Sequence, residues 1–283
     1  MAAAFGLLAA TALLPAAPHG PASPAAADTV AYEVYAIRYA VLPGFPVRAL
    51  VAGADSARRM DVAMMVWLLR GPAGRNVLVD AGFYRDRFLE SWQPADFRSP
   101  AQAVAAAGVR PEAITDIIIT HVHWDHLDGV DLFPNARVWI QRVEYEHHVD
   151  ESGGVRDRAI APENAAALAA LEAAGRLRLV DGDAREILPG ITCYTGGRHT
   201  HASQYVGVRT RAGTVVVASD NAYLYENLET RTPIAQTLDA DSNLRAQERM
   251  GRIASDRRLV VPGHDPAVFE RFPLVGDGVA RID

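Results

Sequence analysis

The feature of the sequence that most constrains the fold is a cluster of metal-ligating side chains directly after a β-branched run. Residues 117–119 are three isoleucines, and His121, His123, Asp125 and His126 follow them. Such a run predicts a buried strand, which places the four polar side chains on the loop at its end. Alternate positions of an extended segment point the same way, so His121 and His123 can bind one ion while Asp125 and His126 turn towards a second. Imidazole and carboxylate ligands suit zinc or a similar first-row metal.

This segment resembles the His-x-His-x-Asp-His signature of the metallo-β-lactamase superfamily, and the resemblance continues in order through most of the chain after about Tyr32. A solvated histidine-rich loop is the alternative interpretation, but such loops rarely follow a strand in this arrangement. The resemblance implies a four-layer αββα sandwich of two mixed β-sheets flanked by helices, whereas periodicity alone predicts only a mixed α and β fold. Because we find no internal repeat and no domain boundary after Tyr32, we expect one hydrolase domain over residues 28–283.

A third histidine of the family's site is expected on a glycine-rich turn, and residues 195–200 are similar to that turn. The family usually has glycine directly before this histidine, with proline and glycine after it. Here Arg198 precedes His199, and His201 follows two positions later. Both histidines are therefore candidates, and we favour His199 because the order His-Thr matches that of the family.

Two more strand ends complete the set that the resemblance implies. Asp220 follows the apolar run 215–218, and by resemblance its carboxylate bridges two metals. His264 follows the run 259–261 in the same manner and supplies the last histidine. The resemblance thus implies two zinc ions per chain, joined by Asp220, with these ligands: His121, His123 and His199 for one ion, and Asp125, His126 and His264 for the other.

Asp125 and Tyr223 are the residues that we expect to take part in catalysis. N-acyl-homoserine lactonases of this superfamily place a tyrosine three positions after the bridging aspartate, where its hydroxyl reaches a substrate oxygen. Tyr223 occupies that position after Asp220, although an ordinary interfacial tyrosine is the alternative. The resemblance therefore implies a dinuclear zinc hydrolase that opens the lactone ring of N-acyl-homoserine lactones, as in quorum quenching, by attack of a metal-bound hydroxide.

Single residues distinguish this sequence from superfamily members with other activities. Enzymes that open β-lactams generally lack the bridging aspartate, so Asp220 argues against them. Diiron flavoproteins usually carry glutamate where His123 stands. Another lactonase, an esterase or a glyoxalase II-like thioesterase shares all the ligands and stays an alternative. A non-catalytic metal-binding scaffold is a further alternative, but structural zinc sites are closed by protein ligands.

Composition limits the partners that we expect. The formal net charge is −6, which gives no reason to expect a nucleic acid partner. Cys193 is the single cysteine, so an intramolecular disulfide and thiolate metal sites are excluded. We expect a small acyl lactone or ester as substrate and no stable insertion into a membrane. A homodimer is compatible with the sequence.

The first 27 residues are expected to be a signal peptide or a disordered segment. An apolar stretch, residues 5–14, is too short to span a bilayer, and alanines precede Asp28 as at a small-residue cleavage site. No lysine or arginine precedes the apolar stretch, which weakens this interpretation. We expect a periplasmic or secreted protein, with a cytoplasmic one as the alternative.

The region after the first predicted strand has no clear period, so we expect a long loop over residues 42–59. The apolar residues in and after this loop could form a wall for an acyl chain or belong to the core. These residues are Phe45, Met60, Met64 and Met65.

Two further expectations concern residues around the cluster. In the family, an aspartate at the position of Asp80 orients a metal ligand, although Asp80 could simply begin a turn with Gly82. His147 and His148 are adjacent in a helix predicted over residues 142–149. Neighbouring helical residues diverge by about 100 degrees, so we expect both at the surface and not at the metals.

Overall fold

The structure, a computed structural model, describes residues 1–4 and 30–283. The segment 5–29, which contains most of the predicted signal peptide, lies outside the described residues, so the signal peptide and export stay predictions. Within the described ranges, no helix is both long and apolar enough to cross a membrane.

The described residues form two β-sheets. In chain order their strands are β1 (Glu33–Pro46), β2 (Arg59–Arg70), β3 (Asn76–Val79), β4 (Asp116–Ile118), β5 (Arg137–Gln141), β6 (Leu177–Val180), β7 (Arg185–Leu188), β8 (Ile191–Thr195), β9 (Gln204–Thr210), β10 (Gly213–Ser219), β11 (Val260–Pro262), β12 (Leu274–Gly276) and β13 (Val279–Arg281). The larger sheet has the order β12-β13-β1-β2-β3-β4-β5-β6, and the smaller one β11-β10-β9-β8-β7. Both sheets are mixed, since β3 to β6 run parallel, as do β10 and β11, while the other pairs are antiparallel.

Helices flank the two sheets. They are α1 (Asp86–Trp92), α2 (Pro100–Ala106), α3 (Trp124–Leu127), α4 (Arg142–His148), α5 (Pro162–Ala173), α6 (Tyr225–Thr230), α7 (Ala240–Ile253) and α8 (Val268–Arg271). Local signals explain two of their starts. Ser99 and Gln102 form a capping box before α2, and Asp239 accepts a hydrogen bond from the Ser242 amide at the start of α7.

The alternation of side chains along β2 shows how the layers are built. Val66 and Leu68 pack with the outer core, which includes residues of α1 to α5, whereas Met65, Trp67 and Leu69 pack between the two sheets. Because successive residues of a strand point to opposite faces, a strand covered on both sides is apolar throughout. A third cluster, with Met250 of α7, covers the other face of the smaller sheet. The predicted four-layer αββα sandwich is confirmed.

The predicted loop over residues 42–59 is wrong in its first part. β1 continues through Pro43 and Gly44 to Pro46. It stays paired with β2 up to its last residue, where Pro46 is the partner of Arg59. Beyond Ile37 the described chain pairs β1 with no further strand on this side, apart from a single bridge between Val41 and Ala95. Pro43 follows that bridge at an edge position, where proline removes no needed hydrogen bond. The register shifts between Leu42 and Phe45, which accommodates the Pro-Gly pair as a bulge.

The ends of parallel strands bring distant parts of the chain to one edge of the sandwich. β3 and β4 lie side by side, so Asp80 and Thr120 follow adjacent strand ends. β10 and β11 are likewise neighbours, and Asp220 and His264 come just after them. The Gln204 amide at the start of β9 donates to the Thr120 carbonyl, which joins the two sheets at this edge.

Candidate metal centre

The structure brings together all seven residues that the sequence predicts as ligands. They form two neighbouring groups. Within each group, the ligand atoms lie within 4.8 Å of one another. The first group is His121, His123, His199 and Asp220, and the second is Asp125, His126 and His264. The larger sheet supplies the segment from His121 to His126, while the smaller sheet supplies His199, Asp220 and His264.

The first group is a triangle of ring nitrogens. Nδ1 of His123 lies 3.0 Å from Nε2 of His121 and 2.9 Å from Nε2 of His199. Zinc at about 2.0–2.1 Å from each ligand would have tetrahedral ligands about 3.3 Å apart. The spacing of these nitrogens is close to that requirement.

The second group is arranged around a carboxylate, with a somewhat wider spacing. Oδ2 of Asp125 lies 3.4 Å from Nε2 of His126 and 3.6 Å from Nε2 of His264. Tyr39 donates a hydrogen bond from its hydroxyl to the Asp125 carbonyl, at 3.3 Å, which helps to fix this segment.

Asp220 lies between the two groups, with one oxygen towards each. Its Oδ2 is 3.7 Å from Nε2 of His121 and 3.4 Å from Nε2 of His199. Its Oδ1 is 3.3 Å from Nε2 of His126 and 3.0 Å from Nε2 of His264. A Cβ on Gly263 would meet Asp220 Oδ1 at 2.7 Å, so the glycine before His264 permits this close approach.

Four of the histidines direct Nε2 into the cluster because Nδ1 is already engaged. The Nδ1 atoms lie within hydrogen-bond distance of a hydroxyl, a carboxylate or a carbonyl. These pairs are His121 with Thr120 Oγ1 (3.0 Å), His126 with Asp80 Oδ2 (2.8 Å), His199 with the Gln236 carbonyl (2.7 Å) and His264 with the Ala63 carbonyl (3.2 Å). Such contacts set the tautomer and the ring orientation of metal-binding histidines.

Buried polar atoms at the centre of the cluster indicate that a cation belongs there. In the part of the chain that the structure describes, His126 Nε2 and Asp220 Oδ1 are buried and have no hydrogen-bond partner. Unpaired buried polar atoms are costly, and native proteins rarely keep them without a bound group. The donor set of imidazoles and carboxylates fits two zinc-like ions.

The charges of the cluster also shape its protonation. Burial and the neighbouring His126 and His199 hold the pKa of His121 well below its usual value, and burial lowers the pKa of His123 to about 3. Burial disfavours charge on His126 too, but the carboxylates of Asp220 and Asp125 outweigh it and raise its pKa well above the usual value. The pKa of His264 is raised for the same reason. The lowered pKa values keep the rings of His121 and His123 neutral, which is the form that binds metals.

Asp80 orients the second group rather than opening an ordinary turn. Its Oδ1 accepts from the Thr120 amide at 2.8 Å, and its Oδ2 accepts from the hydroxyls of Thr120 and Ser219 at 3.0 Å each. Both Asp80 and Ser219 have left-handed backbone, with φ of 62° and 47°. Non-glycine residues rarely adopt this conformation, which often marks functional sites.

The structure separates His199 from His201. His199 is buried within the first group, while the ring of His201 stacks on His147 with the centroids 3.8 Å apart. Arg198 stands where the family usually has glycine, and its φ is 59°. The chain therefore keeps the left-handed turn before His199 despite the larger side chain.

The expectation that His147 and His148 both lie at the surface is wrong for His148. Its ring is buried, with 2% of the residue exposed. α4 ends at His148, and Val149 and Val155 then form a bridge that returns the chain over the ring. A helical projection does not include this covering loop.

An open cavity of about 330 Å³ reaches the cluster. His123, Asp125, Asp220 and His264 line it on the polar side. Its apolar wall includes two residues that the sequence indicated, Phe45 and Met64, and five that it did not: Leu42, Leu50, Val62, Trp92 and Trp124. The other two expected wall residues lie elsewhere, since Met65 packs between the sheets and Met60 against the outer core.

The tryptophans of this wall were not predicted from the sequence. Trp92 and Trp124 stack with their centroids 5.1 Å apart and an interplanar angle of 8°, and Phe45 and Phe88 extend the stack. Trp92 is 41% exposed. The i, i+4 spacing of Phe88 and Trp92 was the signal for one aromatic face of a helix.

Tyr223 lies where the cavity meets the cluster. Its hydroxyl is 3.3 Å from Nδ1 of His199, and its ring centroid is 5.8 Å from that of His264. Burial, Asp220 and Asp125 raise the pKa of Tyr223 well above its usual value. The hydroxyl therefore stays protonated near neutral pH and can donate a hydrogen bond to a group in the cavity.

Comparison with known proteins agrees with this geometry. The family model described as "Metallo-beta-lactamase superfamily" matches residues 62–264, which is more than half of the chain. The chain belongs to this superfamily. The matched segment of this superfamily member begins in β2 and ends at His264, so it contains all seven clustered residues.

Curated proteins are similar to part of the chain. An N-acyl homoserine lactonase from Bacillus cereus is 29% identical over 161 residues, which are 56% of this chain and 58% of the relative. The chain thus spans somewhat more than half the length of these curated relatives.

Two solved structures of the superfamily fold are similar over nearly their whole length. A quorum-quenching N-acyl homoserine lactone lactonase has a TM-score of 0.67 at 21% identity and covers 87% of this chain and 97% of its own. AidC, described as a dizinc quorum-quenching lactonase in complex with the product N-hexanoyl-L-homoserine, has a TM-score of 0.64 at 15% identity and covers 90% and 98%.

Proposed function

We propose that this protein is a dinuclear zinc hydrolase that opens the lactone ring of N-acyl-homoserine lactones. The observation that carries the proposal is the position of Asp220, whose two oxygens face two separate ligand triads at the end of an apolar cavity. The matched relatives are named N-acyl homoserine lactonases, which supports the substrate class.

The seven clustered side chains would hold the ions, three in each triad and Asp220 between them. Two zinc ions, when bound, supply a hydroxide near neutral pH and Lewis acidity towards a carbonyl oxygen. The chain's own part is to hold the ligands rigidly, because fixed charges and dipoles stabilise a transition state without reorganising. The contacts that engage Nδ1 of His121, His126, His199 and His264 serve this purpose.

Tyr223 and Asp125 are the residues that would serve the reaction most directly, Tyr223 at the substrate and Asp125 at a bound cation. The Tyr223 hydroxyl would donate a hydrogen bond to a lactone oxygen that gains charge as the ring opens. Asp125 lines the cavity and retains its charge, because His126 and His264 outweigh its burial and lower its pKa. It would therefore help to offset the charge of a bound cation and position the second triad.

The apolar wall would accept the acyl chain of the substrate. Trp92 and Trp124 present a flat stacked surface, and Phe45 and Met64 line the same cavity. Aromatic and methionine side chains suit chains of varied length, and a cavity of about 330 Å³ is at the lower end of the range for small-molecule sites. A polar head at the cluster and an apolar tail along this wall match an acyl lactone.

The test is a hydrolysis screen of the zinc-reconstituted protein together with elemental analysis. The substrates are acyl-homoserine lactones of short and long chain, glutathione thioesters and a β-lactam, and the chelator-treated protein is the control. We expect the seven clustered residues to hold about two zinc ions per chain, apart from any ion bound outside them, and the lactones to be hydrolysed preferentially.

Three results would contradict the proposal in different ways. Preferential cleavage of thioesters would make the protein a glyoxalase II-like thioesterase. One tightly bound ion with no second site would remove the dinuclear centre. Full zinc content without any hydrolysis would favour a metal-binding scaffold.

A further inference from the structure

A second histidine cluster lies outside the centre described above. His147 and His148 end α4, and Asp157 lies in the loop that precedes α5. Each residue offers one ligand atom, and these atoms lie within 4.8 Å of one another. The two imidazole rings are nearly perpendicular, at 88°, with their centroids 4.7 Å apart.

His148, the buried member of this cluster, has polar atoms without hydrogen-bond partners. Both ring nitrogens of His148 are buried without a hydrogen-bond partner among the described residues. Nδ1 faces Asp157 Oδ1 at 3.3 Å, and Nε2 faces Glu144 Oε1 at 3.6 Å. A buried imidazole left in this way is costly, and a bound ion is one of the groups that would satisfy it.

We propose that His147, His148 and Asp157 form an additional site for a divalent first-row cation of the zinc type. Two imidazoles and a carboxylate are the ligands that such ions prefer, and carboxylates alone would suit magnesium or calcium instead. His147 and Asp157 are partly exposed, so water can complete the coordination and the ion can enter from solvent. This site is independent of the proposed dinuclear centre and uses none of its seven ligands.

Glu144 connects this site to the loops of the dinuclear centre. It is buried, and its Oε1 accepts from the Thr200 hydroxyl at 2.6 Å and from the Val122 amide at 3.3 Å. Its Oε2 accepts from the Ala202 amide at 2.6 Å. The Glu144 carboxylate therefore holds the backbone next to His199 and next to His123. Its Oε1 also lies 3.6 Å from Nε2 of His148, which connects these loops to the additional site. An ion at the additional site would fix the end of α4 and so act as a structural support for these loops.

The experiment measures bound zinc after equilibrium dialysis against buffered micromolar free zinc. The variants are His147→Ala and Asp157→Asn, each of which removes a partly exposed ligand. The matched control is Glu151→Gln, which removes an exposed carboxylate from the same loop. We expect each variant to hold about one ion fewer than the wild type and the control to hold as many. Because the result is a difference between proteins, it does not depend on how many ions the dinuclear centre holds.

Anomalous diffraction at the zinc edge from wild-type crystals tests the same site without any substitution. A peak between the His147 and His148 rings is expected. Equal zinc content in wild type, His147→Ala and Asp157→Asn would overturn the proposal, as would the absence of that peak in crystals whose main centre is loaded. His148 would then be only the buried partner of Asp157.

Discussion

Nδ1 of His126 lies 2.8 Å from Oδ2 of Asp80, and both groups are buried. The pair links the end of β3 to the metal-ligand segment after β4. Because Asp80 also accepts hydrogen bonds from Thr120 and Ser219, one carboxylate holds residues from both sheets. The position of the His126 ring therefore depends on a residue that does not face the cavity.

Asp80→Asn should weaken zinc binding while leaving all seven proposed ligands in place. An amide cannot provide the same charge to His126, and loss of such a supporting contact typically costs about 10–100-fold in metal affinity. Competition with a chromophoric zinc chelator measures the change. Asp183→Asn, which removes the partner of Arg249 away from the centre, is the control. Unchanged affinity in Asp80→Asn would show that the contact does not orient His126.

Asp220→Asn should lose at least one zinc ion and most of the hydrolytic activity. The substitution keeps the size of the side chain but removes the charge that would offset two cations. Mutation of residues that only support metal ligands typically lowers metal affinity or activity by about 10–100-fold. Because Asp220 is itself a proposed ligand, we expect its substitution to lower activity by about a hundredfold or more. Elemental analysis and initial rates on one lactone measure both effects. Full zinc content at normal turnover would show that Asp220 does not join the two triads.

His199→Ala and His201→Ala form a matched pair that tests the third histidine. His199 belongs to the first triad, whereas His201 stacks on His147. We expect His199→Ala to lose zinc and activity from the dinuclear centre and His201→Ala to retain both. The opposite pattern would transfer the ligand role to His201 and leave the other six residues unaffected.

Tyr223→Phe should slow lactone opening without loss of metal. The substitution keeps the ring and removes the hydroxyl, and loss of one such donor typically lowers the rate by about ten- to a thousandfold. Rates on short-chain and long-chain lactones and on glutathione thioesters should be compared. Tyr205→Phe is the control, because that buried hydroxyl lies outside the cavity. Equal lactone rates in Tyr223→Phe and wild type would assign Tyr223 a packing role only.

Zinc binding to the metal-free protein should release protons at pH 7. The nearby carboxylates raise the pKa of His126 and of His264, so both rings carry a proton below those values, and zinc must displace it. Proton release should therefore decline, and apparent zinc affinity rise, as the pH increases through the raised pKa values. Calorimetric titration in two buffers of different ionisation enthalpy gives the number of protons. Zinc binding without proton release at pH 7 would mean that both rings are already neutral.

The parts of the site that were predictable are those in which local sequence sets the geometry. His121, His123, Asp125 and His126 follow a β-branched strand directly, and Asp220 and His264 follow others, so a strand end and a ligand could be recognised together. Short-range patterns of this kind need no knowledge of the neighbouring chain.

The features that sequence reasoning missed depend on contacts between distant segments. Pro43 and Gly44 indicated a loop, but the edge position of β1 tolerates them within a strand. His148 is buried because a later loop covers it, and Trp92 reaches the cavity because it stacks on Trp124. None of these contacts produces a periodic pattern of residues that could be recognised in the sequence.

Because each sheet supplies part of both triads, ions held there would cross-link the two halves of the sandwich. The ligands come from segments that are far apart in the chain, so an unfolded chain would offer no preformed site, and binding energy would add directly to the free energy of folding. Zinc would then determine abundance as well as activity: a cell short of zinc would lose the protein to unfolding and proteolysis. The amount of protein would itself report the local metal supply.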